Sequence, residues 1–197
     1  DLYKFIHDQT VRLMNIGLNP GEIAEALELP PGLDQVWSVR GYYGAIRHNA
    51  KAVYQRYLGW YDANPANLNP PTRRETGRKT VEYMGGADAI LSRAQADFAA
   101  GEYRWVAQVL SHLVFAEPEN RDGRALLADT FEQLGYQAES ATWRNAYLYA
   151  AQELRQGVAK LPPRPMLSPD MLSALTADAL FDFMAVRLDA GKAAGLA

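Results

Sequence analysis

The residues best suited to chemistry lie in one short stretch, residues 40–44, which reads RGYYG. No acidic residue occurs between Val39 and Tyr61, whereas Arg40 is followed in that span by three further cations, Arg47, Lys51 and Arg56. A guanidinium and a phenol can both donate hydrogen bonds to a tetrahedral oxyanion, and flanking glycines permit close approach to the backbone. The stretch therefore predicts an anion-binding site.

Each candidate residue of this stretch also has a structural interpretation. Tyr42 and Tyr43 are either aromatics packed at the start of a helix, which composition alone favours, or phenols at a helix N-terminus, where free N–H groups favour anions. Of the two, Tyr43 is the preferred anion ligand. Arg40 either binds an oxyanion or forms a surface salt bridge, for which Asp34 is the candidate partner.

The spacing of apolar residues predicts an all-α fold that begins with an N-terminal helical arm. Residues 1–16 suit a helix, and Asn19 with Pro20 predicts a second helix, which residues 29–32 end. Residues 33–39 are either extended or a single turn. The next helix opens at the tyrosine pair and ends at Gly59. An ordered arm over 64–72, anchored by Leu68, then leads to a polar helix over 73–84.

Four apolar stripes between Ala87 and Gln156 predict two antiparallel helical hairpins. Gly101 and Gly135, each expected to end a helix, are separated by 34 positions, which is the tetratricopeptide period. Such solenoids need three or more repeats, so two hairpins leave an apolar side uncovered. We expect that side, with its dense aromatics, to pack on another domain or on a second copy of the chain.

Glycine and proline signals divide the chain into three parts. Residues 1–85 form a helical segment, residues 86–160 form the tetratricopeptide-like hairpins, and residues 161–197 begin a third, truncated domain. The last part opens with a stiff linker, LPPRPM over 161–166, and continues with a helix capped by Thr176. Since the first residue is Asp, we expect that the natural N-terminus has been removed.

Several function classes are not favoured. The sequence contains no cysteine, no nucleophile motif, no phosphate-binding glycine loop and no dinucleotide fingerprint. A net charge of −3 predicts no general attraction to nucleic acid, and no apolar run approaches the roughly 20 residues that a transmembrane helix needs. His48 has no metal-ligating residue three or four positions away, so we expect no metal site in this chain. Because no nucleophile motif is present either, we expect no catalytic residue.

Long and unusual runs carry a family resemblance that extends to the last residue. They are DLYKFIHDQT over 1–10, RGYYG over 40–44, His48-Asn49, KAVYQ over 51–55, LGWYD over 58–62 and NPANL over 64–68. These runs resemble the segment that follows the catalytic domain in the linear alkyl sulfatases, zinc-dependent hydrolases of the metallo-β-lactamase superfamily. The His-x-His-x-Asp-His motif that supplies metal ligands in that family does not occur in this chain.

The resemblance implies a C-terminal portion of such an enzyme, comprising the helical dimerisation domain and the start of a sterol-carrier-like domain. It implies a homodimer formed through the hairpins, and two zinc ions held by the catalytic domain rather than by this chain. Tyr43, and with it Tyr42 and Arg40, would face the sulfate group of an alkyl sulfate such as dodecyl sulfate. The resemblance also favours a periplasmic or secreted location.

Two other functions remain open from the sequence. One is a stand-alone tetratricopeptide-like module that binds a peptide in its groove, which the low repeat number and the long segment before Gly85 disfavour. The other is lipid carriage by the C-terminal part, which is short for a cavity-forming domain. By the sulfatase interpretation, this chain alone is expected to be inactive as an enzyme.

Overall fold

A computed structural model describes residues 1–160 and 168–195, and the secondary structure of these residues is entirely helical. The all-α prediction is therefore confirmed. The chain forms two compact units, Asp1–Val158 and Ala159–Ala197. The predicted linker over 161–166 lies outside the described residues.

Three helices of the first unit surround an N-terminal core: α1 (Leu2–Asn15), α2 (Pro20–Ala26) and α4 (Ile46–Leu58). Ile6, Leu13 and Ile23 are buried at their centre. Asn19 caps α2 as predicted, by accepting hydrogen bonds from the N–H groups of Gly21 and Glu22. The prolines after α2 do more than end it, because Pro31 opens the short helix α3 (Pro31–Asp34), which a 3₁₀ turn over Trp37–Val39 follows.

One prediction about α4 is wrong and one is confirmed. The helix begins at Ile46 and not at the tyrosine pair, which lies in an irregular loop just before it. Its buried residues are Ala50 and Tyr54, whereas Leu58 in its last turn is 56% exposed. The helix does end at Gly59, whose positive φ of 79° suits glycine.

The segment after α4 is ordered by local side-chain hydrogen bonds rather than by an apolar anchor. Asn64 caps a 3₁₀ turn over Pro65–Asn67, and Asp62 accepts a 2.7 Å hydrogen bond from the side chain of Asn67. Leu68, predicted to be the anchor, is 58% exposed, so that prediction is wrong. Asn and Asp side chains that bond to the nearby backbone, and a proline that presets φ, favour this turn.

Five helices form the hairpin layer of the first unit. They are α5 (Arg73–Tyr83), α6 (Ala87–Ala99), α7 (Tyr103–Ala116), α8 (Arg121–Gln137) and α9 (Ala141–Gln156). Neighbouring helices from α6 to α9 pack pairwise, and short turns require them to run antiparallel. Their shared core contains Ile90, Val106, Leu110, Leu113 and Leu127.

The turn at Gly85-Gly86 lies inside this unit and does not separate two units. Helix α5 precedes it, yet packs against α7, and its Val81 belongs to the hairpin core. Gly77 permits the close approach, because a Cβ there would lie 2.6 Å from the carbonyl oxygen of His112. The glycine pair is a turn between packed helices, with both residues at positive φ.

The two glycines spaced by 34 residues do different things. Gly101 has a φ of 84° and lies at the turn between α6 and α7, as predicted. Gly135 is buried inside α8, which continues to Gln137, so the prediction that α8 ends at Gly135 is wrong. A Cβ at Gly135 would approach the side chain of Leu148 on α9 to 2.8 Å, and this close packing explains the glycine.

The second unit contains three short helices within its described residues: α10 (Pro169–Ser173), α11 (Ala177–Ala185) and α12 (Ala190–Ala193). Ser168 and Thr176 cap α10 and α11, as the sequence predicts. Phe181 and Met184 of α11 are mostly exposed. The assignment of residues 161–197 to the start of a sterol-carrier-like domain stays a prediction. Across the described parts of the chain, every helix is too short or too polar to cross a membrane.

Candidate functional site

The tyrosine loop, residues 40–44, lies against the first turn of α9. The carbonyl oxygen of Tyr42 accepts a 2.8 Å hydrogen bond from the N–H of Ala141. The carbonyl oxygen of Tyr43 accepts hydrogen bonds from Ser140 Oγ at 2.7 Å and from Thr142 Oγ1 at 3.0 Å. The backbone of both tyrosines is thus held by a helix nearly 100 positions further along the chain.

The start of α9 is itself well fixed. Ser140 is its N-cap residue and accepts a hydrogen bond from the N–H of Trp143 at 3.4 Å. Arg144 reaches back over the α8–α9 turn and donates to the carbonyl oxygens of Ala138 at 2.9 Å and Glu139 at 3.2 Å. The turn that carries Ser140 is therefore hydrogen-bonded to the first turn of α9.

Arg40 is paired with Glu139, which lies in the same turn. Its Nε and Nη2 both lie 2.8 Å from Glu139 Oε1, and this hydrogen bonding raises the pKa of the Arg40 guanidinium. The salt-bridge interpretation thus has a partner, although it is Glu139 and not the expected Asp34. Half of the Arg40 side chain remains exposed, so donors are still available to a ligand.

The tyrosine side chains point outward. Tyr43 is 78% exposed, and Tyr42 is 48% exposed with its ring 6.0 Å from that of Trp37. Tyr43 precedes Ala45, the N-cap residue of α4, by two positions, so neither phenol is at the first turn of that helix. Because Tyr43 is on the surface, its role is not to pack in the interior. Its phenol lies on the surface, in a loop whose backbone is hydrogen-bonded to α9 and to the N-cap residue of that helix.

His48 makes a second contact between α4 and α9. The Nε1–H of Trp143 donates to His48 Nδ1 at 3.3 Å, and the two rings meet edge to face at 6.3 Å. His48 is therefore a structural partner of Trp143. Among residues 1–160 and 168–195, no three His, Cys, Asp or Glu side chains are grouped closely enough to hold a metal ion.

Two further polar clusters join helices away from the tyrosine loop. His7 on α1 is hydrogen-bonded to Tyr57 of α4 at 2.8 Å and to Asp8 at 2.9 Å. Glu25 on α2 accepts from Arg104 of α7 at 2.7 Å and lies 3.3 Å from Arg47 of α4. The hydrogen bond from Arg104 is the main cause that lowers the pKa of Glu25.

Comparison with known proteins identifies the family. The model of the family described as alkyl sulfatase dimerisation matches residues 19–157, which include the tyrosine loop and all five hairpin helices. The chain belongs to the alkyl sulfatase dimerisation family. The family is named for dimerisation, so the assignment also implies that the chain takes part in an oligomer.

Relatives of this alkyl sulfatase dimerisation chain are sulfatases. It is 60% identical to an alkyl/aryl-sulfatase of Saccharomyces cerevisiae over 99% of its own length and 30% of that protein. It is 52% identical to an (R)-specific secondary-alkylsulfatase of Pseudomonas sp over 99% of its length and 29% of that protein. The chain thus spans less than a third of these relatives.

A solved structure has the same fold. The stereoselective inverting sec-alkylsulfatase from Pseudomonas sp. superposes with a TM-score of 0.90 at 50% sequence identity, over 98% of this chain and 30% of that one. The chain therefore corresponds to less than a third of that longer enzyme. This does not support the stand-alone tetratricopeptide-like module.

Sequence reasoning missed the residues that hold the tyrosine loop, namely Glu139, Ser140 and Thr142. The one local signal is that Ser140 precedes an apolar helical pattern, which is typical of a helix N-cap. That signal predicts where α9 begins but not what its first turn contacts. The assignment of Tyr43, Tyr42 and Arg40 to substrate binding stays a prediction.

Proposed function

We propose that this chain is the dimerisation and active-site-completing portion of an alkyl sulfatase, which hydrolyses alkyl sulfate esters to an alcohol and sulfate. The observation that carries the proposal is the tyrosine loop: Tyr43 is 78% exposed although its backbone is held by two hydroxyl groups. A surface phenol held in this way suits a contact with a group outside this chain. The sulfatase relatives supply the chemical class.

In this proposal the Tyr43 phenol donates a hydrogen bond to a sulfate oxygen of the substrate. The developing negative charge on sulfate strengthens such a bond in the transition state, so the phenol contributes to rate as well as to binding. Tyr42, which is less exposed, is the alternative donor. Arg40 is held in place by Glu139 and adds positive charge beside the phenols.

Zinc belongs to a different part of the enzyme in this proposal. The described residues do not fit a zinc site, because they contain no group of three or more suitable side chains. Two zinc ions bound by a metallo-β-lactamase-like catalytic domain would supply the activated water. What this chain contributes is a hydrogen-bond donor on one side of the substrate and the contact between two subunits.

The proposed subunit contact is a homodimer formed through the helical hairpins. Large aromatic side chains remain exposed there on α7, α8 and α9, as is typical of residues that a partner covers. They are Trp105, Phe115, Tyr136 and Tyr149. The family to which the chain belongs is described by its dimerisation, which agrees with this surface.

The test is Tyr43→Phe in the full-length enzyme, which removes one hydroxyl and keeps the ring. We expect kcat/KM for dodecyl sulfate to fall by on the order of 10²-fold, the effect of losing one donor to a developing oxyanion. The matched control is Tyr83→Phe, at an exposed tyrosine on α5, which should leave kcat/KM unchanged. An unchanged kcat/KM in Tyr43→Phe would show that the phenol has no role in hydrolysis.

A further inference from the structure

We propose that Ser140 and Thr142 are positioning residues for Tyr43, so that the first turn of a dimerisation helix sets where the substrate-facing phenol lies. The inference rests on the proposed function of Tyr43. Neither hydroxyl faces the substrate in this account. Both act through the backbone carbonyl of Tyr43, to which they donate at 2.7 and 3.0 Å.

The tyrosine loop has little structure of its own. Between residues 40 and 44 the described structure contains a single backbone hydrogen bond, from the N–H of Tyr42 to the carbonyl oxygen of Arg40 at 2.9 Å. The loop is therefore held from outside, by the 3.2 Å hydrogen bond from the Arg40 N–H to the Trp37 carbonyl oxygen and by the donors of α9 and its N-cap residue. Gly41 suits the tight loop itself, because a Cβ there would lie 3.3 Å from the carbonyl oxygen of Gly44, whereas its 3.7 Å distance from Glu139 Oε2 would be an ordinary contact.

Three donors from consecutive residues of α9 converge on two consecutive carbonyl oxygens of the loop. The Ala141 N–H donates to Tyr42, and the hydroxyls on either side donate to Tyr43. Ser140 is 4% exposed, so water competes little for its hydroxyl, whereas Thr142 is exposed; the two hydroxyl oxygens lie 2.9 Å apart. Directional bonds at two adjacent peptide units fix both the position and the orientation of the Tyr43 backbone.

A small displacement of the phenol is expected to cost activity without unfolding the protein. Misplacing a catalytic contact by about 1 Å can lower the rate by about 10²-fold, whereas one exposed or half-exposed hydrogen bond contributes little to global stability. The inference therefore predicts activity losses that are large relative to any change in Tm.

Two variants of the full-length enzyme test it. Thr142→Val removes one hydroxyl donor and keeps the shape, and since Thr142 is not the N-cap residue, the helix start is preserved. Ala141→Pro removes the N–H that serves Tyr42 and places the ring against its carbonyl oxygen, at the first helical position, where proline is compatible with the helix. The matched control is Arg121→Pro, at the first position of α8.

We expect kcat/KM for dodecyl sulfate to fall roughly 5-fold in Thr142→Val and at least 10-fold in Ala141→Pro, since small misplacements of a contact are costly. Arg121→Pro should retain full activity. Thr142→Ser, which restores the hydroxyl, should recover the activity that Thr142→Val loses.

A double-mutant cycle with Tyr43→Phe separates positioning from general structure. If the α9 residues act through the phenol, Thr142→Val and Ala141→Pro should have little further effect once the phenol hydroxyl is absent. Additive losses would overturn the inference, as would unchanged kcat/KM in both α9 variants while Tyr43→Phe is impaired. If Tyr43→Phe itself has no effect, the proposed function fails, and the positioning inference fails with it.

Discussion

Two contacts within the first compact unit join distant parts of the chain in opposite ways. Helices α5 and α7 meet through an apolar surface, where Gly77 packs against the backbone of α7 and Val81 is part of the hairpin core. The tyrosine loop and α9 meet through hydroxyls, an N–H group and the Arg40–Glu139 ion pair, near the surface.

The difference indicates what each contact contributes. Burial of apolar area is strongly stabilising but has no direction, so it determines whether the unit folds. Hydrogen bonds exchanged with water have a small net effect on stability, but their geometry is restrictive. We therefore expect changes at the α5–α7 contact to appear in unfolding measurements, and changes at the tyrosine loop to appear in activity.

The largest effect on stability is expected from Gly77→Ala. The added methyl would lie 2.6 Å from the carbonyl oxygen of His112 and 3.2 Å from the Ala116 nitrogen, and these backbone atoms cannot rotate away. Overpacking of this kind costs about 1–3 kcal/mol, which exceeds the gain of up to about 1 kcal/mol from the better helix propensity of alanine. Thermal unfolding should show a clearly lower Tm.

Gly135→Ala is the matched control for this prediction. The methyl at Gly135 would meet Leu148 Cδ2 at 2.8 Å and Cγ at 2.9 Å, and these side-chain atoms can move by a change of rotamer. We expect a smaller loss of Tm than in Gly77→Ala. Equal Tm values in the two variants would mean that the α5–α7 contact is not limited by backbone packing.

An intermediate effect, visible through its pH dependence, is expected from Glu25→Gln. The hydrogen bond from Arg104 lowers the pKa of Glu25 in the folded state below its ordinary value of 4.5. The stabilisation is therefore present above the ordinary pKa and is lost as the pH falls through the lowered pKa. Glu25→Gln should have a lower Tm than the unchanged protein at pH 7.

That difference in Tm should shrink as the pH falls below the ordinary pKa of 4.5 and through the lowered pKa of Glu25 in the folded state. Comparing the two proteins at each pH removes the contribution of all other carboxylates. A Tm difference that stays constant from pH 7 to pH 3 would mean that the ion pairs of Glu25 with Arg104 and Arg47 do not stabilise the folded state.

The smallest effect on stability is expected from Glu139→Gln. Both partners of the Arg40–Glu139 pair are about half exposed, and ion pairs in that setting contribute little to stability. The Tm should change no more than in Glu82→Gln, which weakens the exposed pair with Lys79 on α5. A markedly lower Tm in Glu139→Gln alone would show that the tyrosine loop contributes stability as well as position, and the contrast between the two contacts would not hold.

The sequence by itself determined the features that depend on neighbours within about four residues. Asn19 with Pro20, Gly59, Gly101 and Thr176 mark helix ends, because each satisfies or interrupts hydrogen bonds of the adjacent turn. The all-α class and the alkyl sulfatase resemblance followed from spacing and from long runs of residues.

Only the tertiary structure decided which distant residues meet. Ser140 lies 97 positions from Tyr43 and Glu139 lies 99 from Arg40, and no local pattern relates them. The same holds for Gly135, which resembles a helix stop in the sequence but is needed for packing against Leu148. Local signals mark many helix ends, whereas the partners of a helix depend on how all the helices share one core, and that is a property of the whole chain.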